Sequence, residues 1–257
     1  MVVSVDDRRP ILQLDDDTIG HIAAGEVVER PAQVVKELVE NSIDAGSSRI
    51  RIEIERGGFE RIAVIDDGSG IPSEELELAV TRHATSKLST ATDLSAIHTL
   101  GFRGEALASI GMVSQLKVSS RVANSDGISI SVHDGAKHPL EPTGIAPGTI
   151  IEVVHLFANI PARLSFQKRP ATESSAIVDI VVAQALCNPS IGFTVSIDGR
   201  IVLDTPPGVE ATDRLFDLIG ASAERLVALQ CSEDDANAPG DEEWSGWISP
   251  PELNRSK

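Results

Sequence analysis

Three features of this 257-residue chain predict an α+β fold. Residues 49–55, "RIRIEIE", alternate strictly, with Ile50, Ile52 and Ile54 on one side and charges on the other, as a strand with one buried face does. Residues 31–45 instead repeat at helical spacing: Val34, Val35, Leu38, Val39 and Ile43 share a face with Ser42. Helices and mostly antiparallel strands then follow one another in mixed order, without an internal repeat.

The elements follow in chain order. "LDDDTIGHIAAGEVVERP" predicts a short helix capped by Asp16 or Asp17. Pro31 suits the first turn of the next helix, which runs to about Ala45 and stops at Gly46. The strand at 49–55 turns through "RGGFER" into a more buried strand, "IAVID" at 62–66, which runs into "DGSGI". Ser73, Glu74 and Glu75 open a helix through "ELELAVTRHA". From Thr85 to Gly104 the chain is polar, glycine-punctuated and weakly periodic, and a loop of that length inside a compact domain is usually functional. "EALASIG" predicts a helix and "SQLKVSSR" a strand, followed by strands at "GISISVHDG" and "TIIEVVHLF" around the turn-rich "EPTGIAPG". "ESSAIVDIVVAQALC" predicts a helix, and "FTVSIDGRIVLD" a hairpin turning at Asp198-Gly199. Composition changes after Pro206-Pro207. A helix at "TDRLFDLIG", an acidic loop and a strand-like "WSGWIS" follow, with apolar faces that nothing nearby in sequence covers.

Composition narrows the function. Hydrophobic residues make up 41% of the chain, enough for a packed core, so global disorder is not expected. No apolar run reaches the roughly 18 residues of a membrane span, and the charged start "MVVSVDDRRP" has no apolar signal region. Cys187 and Cys231 lie far apart without partners at ligand spacing, which suits a reducing cytosol rather than a disulfide or zinc framework. A net charge of −17 argues against tight nonspecific binding to DNA, which needs clustered Lys and Arg, although a local basic patch stays open. The acidity also suits a salty cytoplasm.

Three clusters carry the candidate chemistry. In "KELVENSIDAG", Glu37, Asn41 and Asp44 stack on one helical stripe, which alone reads as the solvated side of an amphipathic helix. An Asn amide is also an oxygen ligand suited to Mg²⁺, and a carboxylate one turn away can deprotonate a water. In "DDGSG", Asp66 ends a buried strand as an acceptor suited to an exocyclic amine, and Gly68 and Gly70 allow backbone close to a flat ring, although Asp-Gly is also an ordinary turn pair. In "GFRGEALASI", glycines before a helix N-terminus make a phosphate cradle of low specificity. Walker A, GxGxxG and GxSxG patterns are absent.

In this order the three clusters resemble the ATP-binding motifs of the GHKL superfamily. "IAAGEVVERPAQVVKELVENSIDAG", "RHATSK", "GFRGEALASI" and "PGTIIEV" are similar, nearly letter for letter, to the MutL family of mismatch-repair ATPases, strongly so over residues 12–170. The resemblance implies a Bergerat-type sandwich, a mixed and mostly antiparallel sheet covered by helices, in residues 1–205 with an N-terminal arm. Residues 206–257 would begin a second, transducer domain. It implies ATP and Mg²⁺ as cofactors, with Glu37 the general base and Asn41 the Mg²⁺ ligand. Asp66, Gly68 and Gly70 would hold adenine, with Thr149 supporting Asp66 through water. Thr85, Ser86 and Lys87, with Gly101, Phe102, Arg103, Gly104 and Glu105, would form a lid over the phosphates. Asp44 is left capping or solvating the helix end, and His83 is read as a packed core histidine without a catalytic role.

The resemblance further implies a switch that couples mismatch recognition to strand removal. Its partners would be a MutS-type sensor, DNA held weakly by this acidic segment, a nuclease or helicase, and a second copy on ATP binding, in the cytoplasm near the nucleoid. Where the family reads "LFYNTPAR" this chain has "LFANIPAR", so Ala158 and Ile160 drop two hydroxyls and alter local packing. The chain also stops before the second-domain lysine expected at the γ-phosphate, which predicts slow turnover and a mostly monomeric chain. The rival reading is a nucleotide-binding interaction module with little or no turnover, against which the intact Glu37 argues. A chaperone or topoisomerase relative fits the lid motif less well, and a histidine kinase lacks its phosphoacceptor helix.

Overall fold

The computed structural model describes residues 12–13, 15–85, 104–230 and 245–250. Helices α1 (Asp16–Val27) and α2 (Pro31–Asp44) lead into a hairpin of β1 (Arg49–Glu55) and β2 (Arg61–Asp66). The one-turn α3 (Leu76–Ala79) and the short α4 (Ala106–Met112) precede β3 (Gln115–Arg121), β4 (Gly127–His133), β5 (Ala136–Lys137), β6 (Glu141–Thr143) and β7 (Gly148–Val154). Next come α5 (Pro161–Phe166), α6 (Pro170–Cys187), the hairpin β8 (Gly192–Ile197) and β9 (Arg200–Thr205), and α7 (Ala211–Ile219). A separate antiparallel pair joins β10 (Val227–Gln230) to β11 (Ser245–Ile248).

Among the described residues one sheet runs β5-β4-β3-β7-β2-β1-β8-β9, with β6 also paired to β4. All its pairings are antiparallel except that of β1 with β8, so the α+β expectation holds. Register aligns the inward side chains into rows across the sheet, because directly paired residues share a face. One row reads Val195, Ile52, Val64, Ile151, Val118 and Ile130, and every member is buried. The row below, Ile54, Ile62, Val153, Leu116 and Val132, is buried too. The opposite face carries Glu53, Glu55, Arg61 and Glu152, where Arg61 reaches Glu53 and Glu152 at 2.9 Å each.

Helix α2 lays Val34, Val35, Leu38 and Val39 on the aliphatic rows and packs beside α6. The start of α2 is tied to α6 by Arg30, whose Nε and Nη2 donate to one oxygen of the buried Glu173 at 3.0 and 2.9 Å. At α1 the cap is Asp15 rather than Asp16 or Asp17: its carboxylate accepts the Thr18 N–H at 2.7 Å. The helix expected through "ELELAVTRHA" is only the four residues of α3. Its Glu77 carbonyl is taken by the Thr81 hydroxyl at 2.7 Å and the Lys137 ammonium at 3.3 Å, and His83 at φ +62 turns the chain away. Strands β5, β6 and β10 were not legible as periodic segments, being two to four residues long. In "LFANIPAR", Leu156 and Phe157 are buried and Ile160 packs partly on the core.

Beyond Pro206-Pro207 the expectation of uncovered apolar faces holds in part, since Phe216, Val227 and Ile248 are exposed. Helix α7 packs on α6 and β9, and "WSGWIS" pairs with β10. Arg214 of α7 is fully buried. Its guanidinium donates to the Thr205 hydroxyl at 2.8 Å, to the carbonyls of Pro189 and Ile191 at 3.0 and 2.9 Å, and to that of Pro206. Its Nε is the one buried side-chain polar atom among the described residues without a partner. Burial lowers the arginine pKa and Asp217 opposes that.

Arg214→Ala strands several buried acceptors at once, which should cost on the order of 2–4 kcal/mol. Thermal unfolding should shift down by roughly 5–15 °C. An unchanged melting temperature would show that α7 is not held by this residue.

Candidate functional site

The stripe Glu37, Asn41 and Asp44 does not face bulk solvent. It lines a cleft of about 960 Å³, together with Ser69, Gly70, Thr85, Gly104 and Glu105. The aliphatic face of α2 sits on the sheet, so burial sets the direction of the stripe opposite. Glu37, Asn41, Asp44 and Thr85 all make polar contacts within the chain. Glu40, buried on the same helix, accepts from Gln184 Nε2 at 3.2 Å and pairs with Lys36 at 3.4 Å, so its carboxylate is committed to holding α2 against α6.

Asp66, Gly68 and Thr149 are not in the cleft wall. Gly68 stands one residue behind it: its turn packs on Ala45, which does line the cleft, and the Ser69 N–H donates to the Ala45 carbonyl at 3.0 Å. Asp66 is half-buried. Its Oδ2 accepts the Ser42 hydroxyl at 2.8 Å and its Oδ1 accepts the Gly68 N–H at 3.0 Å. Burial pushes the Asp66 carboxyl up from its ordinary range, and the donors at Gly68, Ser42, Thr149 and Ser47 partly offset that. The neighbouring Asp67 shows the reverse balance. Burial raises its pKa, but the amides of Ser48 and Arg49 at 2.7 and 2.8 Å and the Ser48 hydroxyl more than compensate, and the net shift is downward.

Sheet register places Asp66 beside Thr149, and Thr149 beside Ser120. This row continues the inward face one step past the aliphatic rows, between Ile50 on one flank and Ile128 on the other. The hydroxyls of Ser120 and Thr149 lie 3.1 Å apart, both buried. Two glycines let the backbone close here. Gly148, at φ +126, has no room for a Cβ against the Asp66 carbonyl, and Gly70, at φ +72, none against the Arg121 carbonyl.

The cleft's far side is formed by the two ends of the predicted lid. His83 and Glu105 meet across it at 3.2 Å, and Gly104 at φ +63 packs on Ala84 and Thr85. His83 is largely exposed, not the packed core histidine expected. Of the lid residues read from sequence, Thr85, Gly104 and Glu105 stand at the cleft, while Ser86, Lys87, Gly101, Phe102 and Arg103 lie outside the described residues. No group of three or more His, Cys, Asp or Glu able to hold a metal occurs among the described residues. Sequence reasoning missed Ser42 and Ser120 as site residues. Ser42 carried a signal, a polar residue on the apolar face of α2, whereas Ser120 carried none within its own strand.

Comparison with known proteins matches residues 29–143 to the family described as histidine kinase-, DNA gyrase B- and HSP90-like ATPase. The chain is 46% identical over 249 residues to the DNA mismatch repair protein MutL of Acidiphilium cryptum, covering 96% of this chain and 41% of that protein. MutL of Halobacterium salinarum is 43% identical over 248 residues, covering 96% of this chain and 37% of that protein. The chain thus spans about two fifths of the length of these curated relatives. Among solved structures, the Aquifex aeolicus MutL ATPase domain complexed with ADP superposes with a TM-score of 0.66 at 31% identity, over 80% of this chain and 73% of that one.

The Asp66 network makes a prediction that needs no ligand. The Ser42 hydroxyl stabilises the ionised carboxylate, so Ser42→Ala should raise the Asp66 pKa further. Titration of the Asp66 carboxyl carbon by NMR reads the shift directly. A midpoint that falls or stays in place would show that the Ser42 bond is not made in solution.

Proposed function

Because the chain belongs to the MutL family of GHKL ATPases, we propose that its cleft binds Mg-ATP and hydrolyses the terminal phosphate. The observation that supports this most is the convergence of the α2 stripe and both ends of the lid on one cleft, backed by a half-buried carboxylate at the end of β2. Asp66 would accept a hydrogen bond from the adenine amine, with Thr149 beside it. Gly68 and Gly70 would let the backbone lie along the ring. The lid residues would close over the phosphates, among them Thr85, Gly104 and Glu105, with Ser86, Lys87 and 101–103 from the predicted lid.

Glu37 would take the proton of a water that attacks the γ-phosphorus as the bond to the ADP oxygen opposite breaks. Glu37 lines the cleft one helical turn before Asn41, and Glu40, which also lines it, is bound to Lys36 and Gln184. Asn41 would hold Mg²⁺. An amide oxygen flanked one turn either way by Glu37 and Asp44 is a hard-oxygen donor set, and it fits a cation that keeps several waters and shares its ligands with phosphates. When bound, Mg²⁺ supplies charge neutralisation at the phosphate oxygens.

In the whole protein this cycle would act as a switch of DNA mismatch repair. Residues 1–205 would be the ATPase domain and 206–257 the start of the second domain. ATP binding would favour self-association, and the partners would be a MutS-type sensor, a nuclease or helicase, and DNA, the last held weakly by a chain of net charge −17. No helix among the described residues is long and apolar enough to cross a membrane.

Glu37→Ala should keep ATP affinity and lose hydrolysis by about 10²-fold or more, because the base acts on the transition state. Asn41→Ala should instead weaken binding in the presence of Mg²⁺. Equilibrium binding and single-turnover hydrolysis separate the two effects. Wild-type turnover in Glu37→Ala would overturn the base assignment, and binding without turnover in the wild type would favour a nucleotide-binding interaction module.

A further inference from the structure

We propose that Ser120, in the middle of the sheet, is a positioning residue that makes the site read adenine rather than guanine. The inference rests on the adenine-nucleotide reading above. Ser120 sits on β3, in the same register row as Asp66 and Thr149, and its side chain is 1% exposed. Its hydroxyl accepts the Ile71 N–H at 2.7 Å, donates to the Gly148 carbonyl at 3.1 Å and lies 3.1 Å from the Thr149 hydroxyl. It therefore joins three strand ends at one atom: the loop after β2, the start of β7, and β3 itself.

Counting protons gives each bond a direction. Ser120 has one hydroxyl proton, which goes to the Gly148 carbonyl, and the Ile71 amide occupies a lone pair, so Thr149 donates in the bond between the two hydroxyls. The acceptor left for a base at this end of the row is the Asp66 carboxylate, and Ser120 holds the Ile71 amide and the start of β7 on either side of it. Adenine offers that carboxylate an amine donor. Guanine offers a carbonyl at the same place, which sets acceptor against acceptor. A buried site rejects such a mismatch because its polar groups are left unpaired.

Ser120 also fixes where the ring can lie. Residues 68–71 have no regular structure, and the Ile71 amide is tied to the sheet through Ser120. Without that acceptor the amide becomes an unpaired donor, and the loop is free to shift relative to Asp66.

The test is equilibrium binding of Mg-ATP and Mg-GTP to the whole chain carrying Ser120→Ala, with Ser119→Ala as control. Ser119 is also buried, but it pairs with Ile150 and Ser129 in the outward row and is absent from the network. Ser120→Ala should weaken ATP about tenfold and shrink the preference for ATP over GTP, and Ser119→Ala should leave both in place. Wild-type affinity and preference in a folded Ser120→Ala would overturn the proposal, as would equal losses in the two variants. If Ser120→Ala does not fold, Ser120→Cys keeps the volume with a poor hydrogen-bonding group and must show the same loss of preference, or the proposal falls. A wild-type chain that binds ATP and GTP equally well would defeat the adenine reading itself, and that outcome is visible before any variant is made.

Discussion

A carboxylate drawn partly out of water beside an aliphatic core is costly unless donors meet it. Much of this site can be understood as the arrangement that meets Asp66. It stands one step past rows of Ile, Val and Leu that are fully enclosed. The helix above contributes the Ser42 hydroxyl, and the tight turn after β2 contributes the Gly68 amide. Both bonds require close approach. The end of α2 must reach the end of β2, and β7 must begin at a glycine whose missing Cβ leaves room for the Asp66 carbonyl. The donors do not fully cancel the desolvation, since the Asp66 pKa remains raised.

The same constraint orients α2. Its aliphatic face is spent on the sheet, and Ser42 anchors the register of the helix against β2. Glu37, Asn41 and Asp44 then project into the cleft as a consequence of packing. The Arg30–Glu173 pair and the Glu40–Gln184 bond fix the other side of α2 to α6. Chemistry on one stripe of this helix therefore depends on contacts made on the other two.

Much of this was legible in sequence and some of it was not, for physical reasons. The alternation of 49–55 and the helical spacing of 31–45 report burial, and burial is what periodicity encodes. Glu37, Asn41 and the glycines around Asp66 stood out because their order resembles a known set of motifs. Ser120 did not, because one strand's pattern says nothing about which residue of another strand lies across from it. That information exists only in register. "ELELAVTRHA" misled because the Thr81 hydroxyl and Lys137, from a distant hairpin, both take the Glu77 carbonyl. Arg214 did not stand out within "TDRLFDLIG", because nothing local indicates that four acceptors wait for it around Pro189 to Pro206.

The central claim is that the end of β2 reads an adenine base through Asp66. The most direct measurement follows the Asp66 carboxyl carbon by NMR while Mg-ADP and, separately, Mg-GDP are added to the chain. The account predicts a large shift with ADP, from the amine hydrogen bond, and a lowered Asp66 pKa in that complex, with little change at the same GDP concentration. ADP binding that leaves the Asp66 signal and its titration unmoved would contradict it.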